Sequence, residues 1–222
     1  YNYTVTDANG CTKTTSATII NPVAPTVSLA SSSMVSCAGG SNGSATISVT
    51  GGNAPYGYAW TPNVSTTASA SNLAAGTYTV RVTDANNCEA YVSIDITEPS
   101  ALQTTVSSSD VRCAGSATGQ ASVQVNGGAG GFSFAWSPGG AINDTLYNAS
   151  AGSYTVTITD ANGCTRSATA IVGSPPPIGL SFNATPASCN GGSDGQIILT
   201  ASGGTGTLQY SWAGSSDTGF VR

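Results

Sequence analysis

Histidine is absent from this chain, lysine occurs once (Lys13), and only 7% of the 222 residues are charged. Without an imidazole the usual general base is missing, and a cysteine nucleophile has no conventional partner. The ten acids recur mainly as turn residues and not as an opposed carboxylate pair. The chain is therefore expected not to be an enzyme. Five basic residues at a net charge of −5 make no basic stripe, which argues against nucleic acid or an anionic membrane as partner. No apolar run approaches the ~20 residues of a spanning helix, so no membrane insertion is expected of this segment. The opening YNYTVTDANGC reads as a strand end and a turn, not as a signal peptide, so the chain is expected to be an excerpt of a longer protein.

What is present is apolar content of 39%, enough for packed cores, together with 62 Ser and Thr residues. That polar richness would suggest disorder were it not laid out in alternating strands. Helix signals are nearly absent.

A repeat organises the whole sequence. Trp60, Trp136 and Trp212 are 76 apart (136−60, 212−136), as are Cys37, Cys113 and Cys189. Cys11, Cys88 and Cys164 are spaced 77 and 76, and Asp7, Asp84 and Asp160 follow them. Pro22, Pro99 and Pro175 keep the same period. The expected organisation is a C-terminal part of a repeat at 1–23, complete repeats at 24–100 and 101–177, and an N-terminal part at 178–222.

Within a unit the patterning is β throughout. Tyr154, Val156 and Ile158 share one face of a strand, while Thr155, Thr157 and Thr159 share the other. About seven short strands per unit predict an all-β chain of tandem immunoglobulin-like β-sandwich repeats, arranged end to end. One strand Trp per unit (Trp60, Trp136, Trp212) and a later Gly-x-Tyr (Tyr78, Tyr154) match the core tryptophan and tyrosine corner of such sandwiches. These five are the expected core aromatics. A solenoid would have a shorter period.

The ordered set Cys-x-Gly, Gly-Gly, aromatic-x-aromatic-x-Trp, Ala-Gly-x-Tyr and Thr-Asp-Ala-Asn-Gly-Cys resembles the SprB-type repeats of large surface adhesins in Bacteroidota. The residues carrying the resemblance are Cys37, Gly51, Gly52, Trp60, Gly76, Tyr78, Asp84, Asn86 and Cys88, then Cys113, Gly127, Gly128, Trp136, Gly152, Tyr154, Asp160, Asn162 and Cys164. It departs at Asn87, where Gly is usual, and at Gly130-Gly131, where the preceding unit has Ala54-Pro55. The resemblance implies cell-surface filaments exported through type IX secretion, some of them serving gliding. Such blocks also serve as spacers in secreted enzymes.

Six cysteines without His or Cys-x-x-Cys read as disulfides of an oxidising compartment, not as a metal site. Cys37–Cys88 and Cys113–Cys164 would each close a 51-residue loop (88−37, 164−113), worth roughly 4 kcal/mol in the chain-entropy model. In an immunoglobulin-like topology, however, the first and last turns lie at opposite ends. A bond between successive units, such as Cys37–Cys164, would then be better placed, and both pairings stay open. Cys11 and Cys189 are candidates in the partial repeats.

The Asp-Ala-Asn-Gly turns could suggest calcium, but too few acids gather for six to eight oxygen ligands. A tight turn with an Asp-to-backbone bond explains them, and no cofactor is expected. The aromatic rows Tyr56/Tyr58/Trp60, Phe132/Phe134/Trp136 and Leu208/Tyr210/Trp212 could stack sugars, but a sandwich needs that face for its core. One lysine rules out a Lys–Asn isopeptide crosslink in every repeat. Asp144-Thr145-Leu146 resembles the Asp-Ser/Thr-apolar O-glycosylation site of Bacteroidota, which makes Thr145 a glycosylation candidate.

The expected function is a structural or adhesive repeat segment of a long extracellular, cell-surface glycoprotein or filament, for stalk, adhesion or gliding. Its expected partners are neighbouring repeats, other copies in a filament and a surface polysaccharide. The alternative is a carbohydrate-binding or spacer module of a secreted polysaccharide-degrading enzyme.

Overall fold

The computed structural model describes residues 1–213. Among these residues every regular element is a strand and every pairing is antiparallel. The chain divides into two compact units, Tyr1–Pro99 and Ser100–Arg222.

The first unit begins with a hairpin of β1 (Asn2–Thr6) and β2 (Thr12–Ser16). A complete sandwich follows. Strands β3 (Thr26–Ser33), β4 (Gly43–Thr50) and β6 (Ser69–Leu73) form one sheet, in the order β3-β4-β6. Strands β5 (Gly57–Thr61), β7 (Gly76–Thr83) and β8 (Glu89–Ile96) form the other, in the order β5-β7-β8. The second unit repeats this arrangement. Its sheets are β12-β10-β9 and β11-β13-β14, from β9 (Gln103–Ser109), β10 (Gly119–Asn126), β11 (Ser133–Ser137), β12 (Thr145–Ala149), β13 (Gly152–Thr159) and β14 (Thr165–Val172). A further hairpin, β15 (Gly179–Thr185) and β16 (Gln196–Ser202), belongs to the same unit.

Each sandwich has six strands, where about seven were expected. In immunoglobulin terms the order is A-B-E facing C-F-G, with the short edge strand D missing. The stretch at its place, 62–68, satisfies its polar groups locally. The Ser65 hydroxyl donates to the Ser69 carbonyl at 2.6 Å, and the Thr67 amide donates to the Ser65 hydroxyl at 3.2 Å. Chain that caps itself in this way has no need of a sheet partner.

Alternation decides which face is buried. Tyr78, Val80 and Val82 of β7 point inward with Ile94 and Ile96 of β8, and meet Ala45, Ile47, Ala70 and Leu73 of the facing sheet around Trp60. The second sandwich places Tyr154, Val156, Ile158, Ala170 and Val172 against Ala121, Val123, Leu146 and Ala149 around Trp136. The intervening threonines and serines face outward and pair across strands, as Thr155 does with Thr169 at 3.1 Å. Small buried residues such as Ala45 and Ala121 leave room for the indoles, at 1% and 0% exposure. Each repeat thus has its own core.

Candidate functional site

The recurring polar feature of each repeat is the turn closing β7–β8 or β13–β14. In the first sandwich Asp84 Oδ1 accepts the amides of Asn86 (2.8 Å) and Cys88 (2.9 Å), and Oδ2 accepts the amide of Asn53 at 3.0 Å. Asp160 does the same with Asn162, Cys164 and Ala129. Both aspartates are buried, at 4% and 5% exposure. Their carboxyls are held below the usual Asp range, foremost by the loop amides of Asn53 and Ala129, then by the turn amides, against the opposing pull of burial. Both oxygens of each carboxylate are engaged by the backbone, which accounts for the turn without a cation.

The Asp-to-backbone bond inside the turn was legible in the sequence, whereas the one to the loop after the glycine pair was not expected. A signal was there: glycine and aspartate keep a constant separation of 32 (84−52, 160−128). Gly52 and Gly128 adopt φ of +67° and +66°, and a Cβ on either would stand 3.0 or 2.9 Å from the carboxylate oxygen. Asn87 stands where the other turns have Gly10 and Gly163, and takes φ 63° beside their 86° and 81°.

Of the expected core aromatics, Trp60, Trp136, Tyr78 and Tyr154 are buried. Trp60 Nε1 donates to the Thr67 carbonyl at 2.8 Å and Trp136 Nε1 to that of Asn143 at 2.9 Å. The Tyr78 hydroxyl donates to the Ala74 carbonyl at 3.1 Å, and Tyr154 to Ser150 at 2.9 Å, which is the tyrosine corner. Trp212 is half-buried. Tyr56, Tyr58, Phe132 and Phe134 are half-buried and lie against the cores. In the second repeat the two phenylalanines also floor a shallow groove of about 440 Å³ with Ile142, Asn143, Asp144, Thr145 and Tyr147. Ile142 and Tyr147 are 76% and 64% exposed there. The Thr145 hydroxyl donates to the Asp144 carboxylate at 3.0 Å, and Leu146 is buried beneath.

Cys37 and Cys164 are disulfide-bonded, whereas Cys11, Cys88, Cys113 and Cys189 are thiols. Neither 51-residue loop within a repeat is closed, because Cys88 and Cys113 are thiols. Topology supplies the reason. The Val35 amide donates to the Thr97 carbonyl at 2.9 Å and the Gly39 amide to Glu98 at 2.6 Å, which holds the first turn at the C-terminal end of β8. The last turn closes the other end of that eight-residue strand, about 25 Å away at ~3.3 Å per residue. A disulfide needs Cα atoms within about 7 Å.

A search of curated proteins found no match. Among solved structures the chain is similar to surface layer protein SbsC, domains 4–9, at 16% identity and a TM-score of 0.29, over 82% of this chain. It spans 36% of that structure's length, and likeness at this level carries no argument about fold. The SprB repeat family model matches residues 30–65, 105–141 and 181–217. Each match runs from within the first strand of a repeat, through the glycine pair, to just past the tryptophan, and the starts are 75 and 76 residues apart (105−30, 181−105). With the period, the folds and these matches in agreement, the chain is a tandem array of SprB-type repeats.

Proposed function

We propose that this array is a structural and adhesive segment of a long extracellular surface protein or filament, and that it performs no catalysis of its own. The observation that carries the reading is that each complete repeat spends its recurring features on folding. The tryptophan, the tyrosine corner, the glycine pair and the turn aspartate all serve one sandwich and its closure. Repetition of such self-sufficient units makes length with roughly additive stability. Scarce Lys and Arg leave few sites for trypsin-like proteases. Export by type IX secretion and a Bacteroidota source are parts of this reading that come from the family.

Antibodies against residues 24–177, applied to intact cells, test it. Labelling along extended surface structures is the expected result. Signal confined to the cytoplasm of permeabilised cells overturns it.

A second reading, carbohydrate recognition, is favoured by the groove of Phe132, Phe134, Asp144 and Tyr147, since sugars stack on aromatic faces beside amide and carboxylate groups. Surface polysaccharide as a partner, and a glycan on Thr145, would both fall at this groove. Tyr147→Ala should abolish retention on a polysaccharide column if the groove is the site; unchanged retention removes it.

A further inference from the structure

We infer that the groove of the second repeat is a two-basin site for a glycan chain without acidic groups, and that the first repeat, on the same backbone, lacks it. The inference rests on the carbohydrate reading proposed above and adds the class of sugar and the repeat that takes it.

The backbone beneath the groove is shared by both repeats. Val123 donates its amide to the Asp144 carbonyl at 2.9 Å, as Ile47 does to Ala68 at 2.9 Å. The Trp136 indole donates to the Asn143 carbonyl as the Trp60 indole does to Thr67. The stretch around Asp144 is thus held by the sandwich itself, which gives a rigid support for exposed side chains. Those side chains differ between the repeats. At the 76-residue spacing, Ile142, Asp144 and Tyr147 stand where the first repeat has Thr66, Ala68 and Ser71 (142−66, 144−68, 147−71). Gln124 and Asn126 stand where it has Ser48 and Thr50 (124−48, 126−50). The floor differs too. The Tyr56 hydroxyl donates to the Gly51 carbonyl at 2.6 Å, whereas its counterpart Phe132 has no hydroxyl. Folding accounts for none of these exchanges, since the first sandwich packs its own core without them.

The exchanged residues gather round one feature. A second basin of about 400 Å³, with Gln124 and Asn126 in its wall, adjoins the basin that Tyr147 and Ile142 line. Phe132, Phe134 and Asp144 belong to both. Exposed ring and aliphatic surface, a carboxylate bonded by the Thr145 hydroxyl at 3.0 Å, and side-chain amides therefore share one groove. A sugar offers the complement of each. Its C–H face packs on a ring, and its neighbouring hydroxyls donate to a carboxylate and accept from an amide.

Charge sets the class. Among the described residues lining the two basins, Asp144 alone is charged. An acidic sugar would meet that carboxylate with no cation in the groove to offset the repulsion. Two basins over one floor suit consecutive units of a chain. A peptide strand suits the groove less. The Trp136 amide donates to the Ala141 carbonyl and its carbonyl accepts the Gly140 amide, both at 3.0 Å, so the outer edge of β11 is already taken there.

The test runs the 222-residue protein in native gels that contain one soluble polysaccharide each. Laminarin, galactomannan and xyloglucan are the neutral probes, and polygalacturonate and alginate the acidic ones. Retardation by at least one neutral polymer and by neither acidic polymer is expected. Giving the groove the first repeat's residues, with Ile142→Thr, Asp144→Ala and Tyr147→Ser, should weaken that retardation by about tenfold or more. The intact first repeat in the same chain should not rescue it. The unfolding transition should persist, because the first sandwich folds with these same residues. Retardation by an acidic polymer that the triple variant abolishes keeps carbohydrate recognition at the groove and overturns the class. Retardation that the triple variant leaves unchanged, as pairing through the backbone or binding at another face would give, overturns the site. No retardation by any of the five polymers overturns this inference and the carbohydrate reading together.

Discussion

The carboxylate of Asp84 accepts the amide N–H of Asn53, 31 residues earlier in the chain, at 3.0 Å. This bond ties the turn between β7 and β8 to the loop leaving β4, and so joins the two sheets at one end of the sandwich. Replacing Asp160, its counterpart in the second repeat, by Ala should lower the melting temperature of that repeat by about 5 °C or more, since the loop and turn amides lose a charged acceptor. Calorimetry of residues 1–222 checks it; an unchanged transition would remove the lock from the account.

The same aspartates set an acid limit. Their pKa is lower folded than unfolded, so the contribution is fully present above the ordinary Asp value of about 3.9 and is lost as pH falls through the depressed folded value. Urea midpoints should be level from pH 7 to about 5 for these groups and should fall below pH ~4. In Asp84→Asn with Asp160→Asn that acid slope should flatten.

Glycine is needed unequally. A Cβ on Gly127, at φ +78°, would run into the Ala101 carbonyl, so Gly127→Ala should cost about 1–3 kcal/mol in chemical denaturation. Gly163→Asn should cost less than about 1 kcal/mol, because the αL position admits asparagine and Asn87 already fills it in the preceding repeat.

The core aromatics are predicted to divide by what they fill. Trp136→Ala leaves a large void and should destabilise the second repeat by about 3–5 kcal/mol. Tyr78→Phe keeps the ring, loses only the bond to Ala74, and should cost about 1 kcal/mol. Equal losses in the two variants would contradict the packing described.

Thiol chemistry gives a direct count. Maleimide on the native, unreduced protein should label Cys11, Cys113 and Cys189 rapidly and Cys88 more slowly, as it is only half-exposed. Cys37 and Cys164 should label only after reduction. Fast labelling of Cys37 would show its bond absent.

The period, the β class and the buried face of the central strands in each complete repeat were legible in the residues alone. Those follow from local rules: alternation along Tyr154, Val156 and Ile158 has one reading, and glycine beside Asn in a turn has few. Trp60 and Tyr78 were legible for the same reason, since a large ring in an alternating strand must be buried somewhere. That 62–68 forms no strand follows from the packed chain, because its hydroxyls satisfy the backbone in place of a sheet. So do the reach of the turn aspartates to Asn53 and Ala129 and the choice between the cysteine placements left open by spacing, with Cys37 and Cys88 at opposite ends of one sandwich and Cys88 a thiol. Each of these depends on where distant segments arrive in space, and residue spacing along a chain carries no end-to-end direction until the sheets are packed.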